Sequence, residues 1–141
     1  MRCPFEVQVF VRRGDEFLVL HRTKPGEVYW HVVAGALEAG ETAVETAARE
    51  LEEETGLADA ALVDLERRFV YPLDEEPHRL PQYESGVTEV VVDCFCVDAP
   101  ATWEPRLDFE HDDYRWCTAV EADELLYWPE PRALVLELAG V

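Results

Sequence analysis

The chain has 141 residues with 31 acidic against 12 basic side chains, a net charge of −19, which excludes general affinity for nucleic acid or anionic membranes, because both need a basic surface. A composition of 48% hydrophobic and 30% charged residues belongs to a globular chain with room for one core. No apolar run reaches the length of a membrane span and no leader pattern opens the sequence, so the expectation is a single cytoplasmic domain over residues 1–141 with neither nucleic acid nor membrane as partner.

Phe5, Val7, Val9 and Val11 alternate with Glu6, Gln8 and Phe10, a strand with one strongly apolar face. Arg12 to Glu16 is a turn, and Phe17 to Arg22 is a second strand, so the pair reads as a hairpin. His21 and Arg22 near its end are either exposed strand termini or contacts for a phosphate or base. Lys24-Pro25-Gly26 marks a loop, and Val28 to Ala34 is a short extended run into Gly35. Its Tyr29 and Trp30 are either core plugs or a stacking platform.

Thr42 and Glu45 form a capping box, and Gly56 is placed to end the helix they start. Val44, Ala47, Ala48, Leu51 and Thr55 lie at helical spacing and predict the inward stripe. Glu50, Glu53 and Glu54 fall at i, i+3 and i+4 on an adjacent face, where like charges repel and oppose the negative end of the helix dipole. Hard oxygen ligands grouped on a rigid element suit Mg²⁺, or Mn²⁺, which would offset that repulsion. Gly35 suits a point where backbone approaches a ligand closely, and its carbonyl could join the metal ligands.

Beyond the helix, Ala60 to Val70 reads as a long strand with a bulge. Tyr71 to Ser85, rich in proline and charge, is either a rim to the site or a mobile loop. Val87 to Val97 and Tyr114 to Cys117 are further strands, and helices follow from Glu121 and from Pro131. Cys3, Cys94, Cys96 and Cys117 lack zinc-ligand spacing and read as reduced thiols. The order of elements suggests an α/β/α sandwich around a mixed sheet.

Gly35, Glu41 and Arg49-Glu50-Leu51-x-Glu53-Glu54-x-Gly56-Leu57 together resemble the box of the Nudix hydrolase family at every defining position. The resemblance implies the α/β Nudix fold and metal-dependent hydrolysis of a nucleoside diphosphate linked to another group. It assigns Glu50, Glu53, Glu54 and Gly35 to the metal, Arg49 to orienting a glutamate, and Glu41 to pairing with Arg49. Gly56 keeps its place as the helix end. The general base is either the box residue Glu53 or Glu110, whose setting Glu110-His111-x-x-Tyr114-Arg115-Trp116 is similar to that in bacterial dihydroneopterin-triphosphate and dATP pyrophosphohydrolases. Trp30 five residues before Gly35, and Gly86-Val87-Thr88 after the proline-rich loop, are similar to that group as well. The expected substrate is therefore a nucleoside or dihydroneopterin triphosphate, cleaved to monophosphate and pyrophosphate. The alternatives are ADP-ribose or another nucleotide sugar, and a nucleotide-binding domain without turnover. The resemblance also admits a homodimer.

Overall fold

The structure is a computed structural model describing residues 1–141. Strands β1 (Phe5–Arg13), β2 (Glu16–Arg22), β3 (Trp30–His31) and β4 (Val33–Ala36) precede helix α1 (Ala43–Thr55). After it come β5 (Val63–Pro72), two 3₁₀ turns over Leu73–Glu75 and Pro77–Gln82, β6 (Glu89–Asp98), β7 (His111–Cys117), α2 (Ala119–Leu125) and α3 (Pro129–Leu138).

The sheet is mixed. β1 lies parallel to β6 along its whole length, and β5 pairs antiparallel with the far side of β6. A strand flanked in this way is apolar on both faces. Val7, Val9 and Val11 accordingly pack on Ala47 and Leu51 of α1. Phe10 points the other way and joins Ala122, Leu126, Leu134 and Val135 of the α2–α3 layer. Helices therefore cover both faces, giving the α/β/α sandwich.

The hairpin of β1 and β2 is paired only next to its turn, at Arg12 with Phe17 and Arg13 with Glu16. Beyond that the two strands part. The freed edge of β1, Glu6 to Val9, is taken by β4, and the freed edge of β2, Leu20 and His21, is taken by β3. β7 pairs with the other side of β2. This divergence is the feature that matters for the site, because both halves of the split sheet contribute walls to one cleft.

Three local expectations need correction. In α1 the buried residues are Thr46, Ala47, Leu51, Glu54 and Thr55. Val44 and Ala48 face solvent. The inward stripe is thus rotated toward Glu54, because the sheet on which the helix packs, β4 and β1 foremost, decides it and not the apolar pattern of the helix itself. The final helix begins at Pro129 rather than Pro131, with Pro129 in the first turn where a missing N–H costs nothing. The proline-rich segment is not a mobile loop: Tyr71 and Pro72 end β5, and the 3₁₀ turns that follow are tied down by Arg79, which is only 6% exposed. The four cysteines are free thiols.

Candidate active site

Helix α1 is built as its sequence dictates. The Thr42 hydroxyl accepts from the Glu45 N–H at 3.2 Å, and the Glu45 carboxylate accepts from the Thr42 N–H at 2.9 Å. Gly56 ends the helix with φ of 81°, a left-handed conformation open to glycine. The helix carries the acidic residues into the wall of a cleft of about 1230 Å³. That cleft is lined by residues of β1, β2, β3, β4, α1 and β5, the 3₁₀ turns, and the segment before β7.

The three box glutamates are not equivalent. Glu54 lies on the buried stripe, 3% exposed, and its Oε1 is buried with no hydrogen-bond partner. Burial raises its pKa well above the carboxylate range. The nearby Arg22 guanidinium pulls it back, while the adjacent Glu50 carboxyl pushes it further up. Glu50 is half turned inward, and burial raises its pKa as well. Glu53 is exposed, and its carboxylate turns back to Arg49 at 3.3 Å. No three acidic or imidazole side chains converge into a ready-made metal cage. Arg49 is the reason: its guanidinium draws Glu50 at 2.8 Å and Glu53, and it also donates to both oxygens of Glu41 and to the carbonyl of Ala36 at 3.0 Å. Hydrogen bonds from Arg49 hold the Glu41 pKa down at about 2.

Two observations nevertheless fit a divalent cation. An orphaned carboxylate oxygen deep in a polar cleft needs a partner, and Glu54 Oε1 is one. The other concerns Gly35. A Cβ on Gly35 would lie 2.2 Å from the Cδ and Oε1 of Glu50. The Glu50 carboxylate thus occupies the space that the missing side chain leaves, next to the Gly35 backbone. Gly35→Ala is expected to push Glu50 aside and lower turnover about 10²-fold, since misplacement by about an ångström has that scale of effect. Steady-state kinetics beside a thermal melt checks this, with the loss in kcat/KM far exceeding what the melt explains.

The other predicted residues divide by strand geometry. Neighbours in a strand point to opposite faces. Arg22 and Tyr29 line the cleft. His21 and Trp30 lie on the other face, paired in register and with rings 5.0 Å apart. There His21 Nδ1 meets Asp112 at 2.6 Å, the Arg115 guanidinium covers Trp30 at 5.0 Å, and Trp30 packs on the α2–α3 core. The cleft therefore receives one member of each adjacent pair, and His21 and Trp30 are not among the residues that line it. Tyr29 stacks on Tyr127 with centroids 5.0 Å apart, and Trp128 meets its edge at 5.8 Å. Glu110 lines the rim, where its backbone carbonyl accepts from both the N–H and the hydroxyl of Thr23.

Several residues in or behind the cleft wall have contacts that no local sequence pattern announces. His111 is buried, with Nδ1 2.7 Å from Asp108 and Nε2 3.7 Å from Glu54 Oε1. Burial lowers its pKa, against the pull of Asp108. His31 is also buried, its Nδ1 has no partner, and burial followed by the charge of Arg22 lowers its pKa well below the usual value. At the far wall Arg79 donates to Tyr71 and Glu76 through Nη1 and to Glu6 and Tyr83 through Nη2, all within 2.7–2.8 Å. The one available hint was alternation: Glu6 and Gln8 occupy a repeating face of a strand that is otherwise apolar.

Comparison with known proteins agrees with this geometry. An octanoyltransferase of Myxococcus xanthus is 40% identical over 124 residues, which is 85% of this chain but only 32% of that protein. The asymmetrical bis(5'-nucleosyl)-tetraphosphatase of Rattus norvegicus is 32% identical over 86% of this chain and 77% of its own length. The solved structure of the E. coli dihydroneopterin triphosphate pyrophosphohydrolase superposes with a TM-score of 0.86 at 26% identity, over 98% of this chain and 96% of that one. The family model described as the NUDIX domain matches residues 4–138. The chain thus belongs to the Nudix family of hydrolases.

Proposed function

We propose that the chain cleaves a small triphosphate, a nucleoside or dihydroneopterin triphosphate, to monophosphate and pyrophosphate with Mg²⁺ as its metal. The observation that carries the reading is the orphaned Glu54 Oε1 beside a Glu50 carboxylate seated over Gly35. The family uses divalent metal ions, and Glu50, Glu54 and the Gly35 carbonyl are the groups that would hold one here. When bound, it neutralises phosphate oxygens and eases deprotonation of the attacking water. Glu53 stands beside them as a further oxygen donor that Arg49 must release.

The chain's own residues supply the rest. Arg49 fixes the Glu50 rotamer through one nitrogen while Glu41 fixes Arg49 through two others. Arg22, largely buried at the cleft wall and paired with Glu27 at 3.4 Å, offers a fixed positive charge to a phosphate. Tyr29 backs that guanidinium, 5.8 Å from its ring centroid. Glu110 at the rim accepts the proton of the attacking water. Glu110→Gln is then expected to lower kcat about 10²-fold, the usual scale for a general base, with metal affinity by calorimetry unchanged. An unchanged kcat would return the role to Glu53.

The relative from Rattus norvegicus favours a second reading, cleavage of a dinucleoside tetraphosphate. The run Val32-Val33-Ala34 before Gly35 speaks against it, because it lacks the Pro-Lys-Gly common in such hydrolases. A panel of triphosphates, a dinucleoside tetraphosphate and ADP-ribose, with products separated by ion exchange, decides between them. Pyrophosphate from a triphosphate as the fastest reaction supports the proposal; faster cleavage of the tetraphosphate or of ADP-ribose contradicts it, and binding without any turnover makes the chain a nucleotide sensor.

A further inference from the structure

We propose that Lys24, the single lysine of the chain, binds the terminal phosphate of the substrate, beyond the phosphates that the metal takes. This rests on the triphosphate reading above and names the residue that holds the departing pyrophosphate.

The cations of the cleft wall differ in what they have left to give. Four arginines and Lys24 line the cleft. Arg49 spends its nitrogens on Glu41, Glu50, Glu53 and the Ala36 carbonyl. Arg79 spends both terminal nitrogens on Glu6, Glu76, Tyr71 and Tyr83. Arg2 donates to Glu6 at 3.1 Å, and Arg22 to Glu27 at 3.4 Å. Lys24 alone gives the protein no hydrogen bond: its Nζ stands 3.8 Å from Glu27 Oε2. All three of its donors are therefore free for phosphate oxygens.

The fold sets Lys24 beside Arg22. The two are two apart where β2 runs out, so they face the same way, and both line the cleft. Thr23 between them turns to Glu110, whose carbonyl accepts from its N–H at 2.9 Å and its hydroxyl at 3.1 Å. The turn is pinned, since the Glu27 N–H donates to the Lys24 carbonyl at 2.8 Å and the Arg22 N–H to the Tyr29 carbonyl at 2.9 Å. His78 of the 3₁₀ segment packs on Gly26, where a Cβ would come within 3.2 Å of its Nε2. Glu27 is buried and reaches both cations, Arg22 through Oε1 and Lys24 through Oε2. One carboxylate there offsets the repulsion between the two positive charges and keeps them together.

Arg22 is the inner member of the pair. It, and not Lys24, offsets part of the upward push that burial gives the Glu54 carboxyl. Lys24 lies one strand repeat further along, about 7 Å. A metal on Glu50 and Glu54 neutralises the phosphates bound to it, but the last phosphate of the chain lies beyond it. With Glu53, Glu75, Glu110 and Glu130 also on the cleft wall, that phosphate meets like charge unless a cation stands there.

Lys24→Met keeps the side-chain stem and removes the charge. On a triphosphate that the parent cleaves, KM is expected to rise about tenfold, the scale of one charge-assisted contact, with kcat within about twofold. Pyrophosphate as a product inhibitor with Mg²⁺ is expected to weaken by the same factor, and the monophosphate to keep its inhibition constant. Equal weakening of both products, of neither, or a loss confined to kcat overturns the proposal.

A second measurement needs no variant. Lys24 is the only side-chain amine, so its acetylation is read on one peptide by mass spectrometry. Mg²⁺ with pyrophosphate at about ten times its dissociation constant is expected to slow that acetylation about tenfold, and Mg²⁺ with the monophosphate to leave it unchanged. No protection by pyrophosphate, or equal protection by both, overturns the proposal even in a protein that cleaves triphosphates. A parent that cleaves no triphosphate sinks the function proposed above, and the acetylation rates then decide on Lys24 alone.

Discussion

Glu54→Gln is expected to lower kcat/KM about 10³-fold, roughly 4 kcal/mol of transition-state stabilisation, while leaving the fold intact. The amide keeps the shape of the carboxylate but not its charge, and an uncharged group at this point cannot balance a divalent cation. Glu54 differs from its neighbours here. Glu53 is exposed and Glu50 is held by Arg49, whereas Glu54 is buried with an oxygen to spare. Steady-state kinetics with excess Mg²⁺ checks the size of the loss, and near-normal turnover would remove Glu54 from the metal set.

The same substitution carries a stability signature in metal chelator. Burial raises the Glu54 pKa well above its ordinary value, so the folded state holds a proton that the unfolded chain releases near pH 4.3. A carboxyl shifted upward contributes stability that is fully present below the unfolded pKa and lost as pH rises through the folded one. The melting temperature of Glu54→Gln minus that of the parent should therefore be smallest near pH 4, roughly the unfolded pKa, and widen toward neutrality. A difference that does not change with pH would contradict the burial of this charge.

Arg79→Met is expected to cost about 3–5 kcal/mol of stability, the scale for removing one partner of a buried ion pair. The melting temperature should fall by about 10–20 °C. Arg79 is 6% exposed and sits between Glu6 and Glu76, at 2.7 and 2.8 Å. Its loss leaves Glu76 without its cation and Glu6 with Arg2 alone, and frees the 3₁₀ segment from the sheet. Glu6 also receives hydrogen bonds from Tyr71 and Arg2. Although burial pushes the Glu6 pKa upward, Arg79 and Arg2 hold it below the ordinary value. Adding Glu76→Gln to Arg79→Met should recover part of the loss, as the one charge left without a cation is then gone. A melt within a few degrees of the parent for the single variant would mean that water reaches this network freely.

The sequence made the helix that carries the acids legible because its signals are local. Thr42 with Glu45 and the glycine at 56 lie within one or two turns of what they cap. Spacing placed Glu50, Glu53 and Glu54 on adjacent faces, but it could not say which face the sheet would cover. That choice comes from packing on the sheet, and it buries Glu54 while leaving Glu53 in solvent. The pairs His21–Arg22 and Tyr29–Trp30 show the same limit. Alternation says that only one of each pair can face the site, and strand register decides which. The far wall was least legible, since Arg79 meets Glu6 across 73 positions of sequence and no local pattern announces such a pairing. His111, two strands away from its neighbour His31 in the sheet, was hidden for the same reason.

On the function proposed above, this cleft cleaves a triphosphate between its α and β phosphates with a divalent metal held by Glu50, Glu54 and Gly35. One measurement addresses it most directly. The wild-type chain is stripped with chelator and mixed with a guanosine or dihydroneopterin triphosphate, and the products are separated before and after Mg²⁺ is added. No turnover is expected in chelator, and monophosphate with pyrophosphate in equal amounts is expected once Mg²⁺ is present. Turnover without metal, or release of inorganic phosphate and a diphosphate, would contradict it.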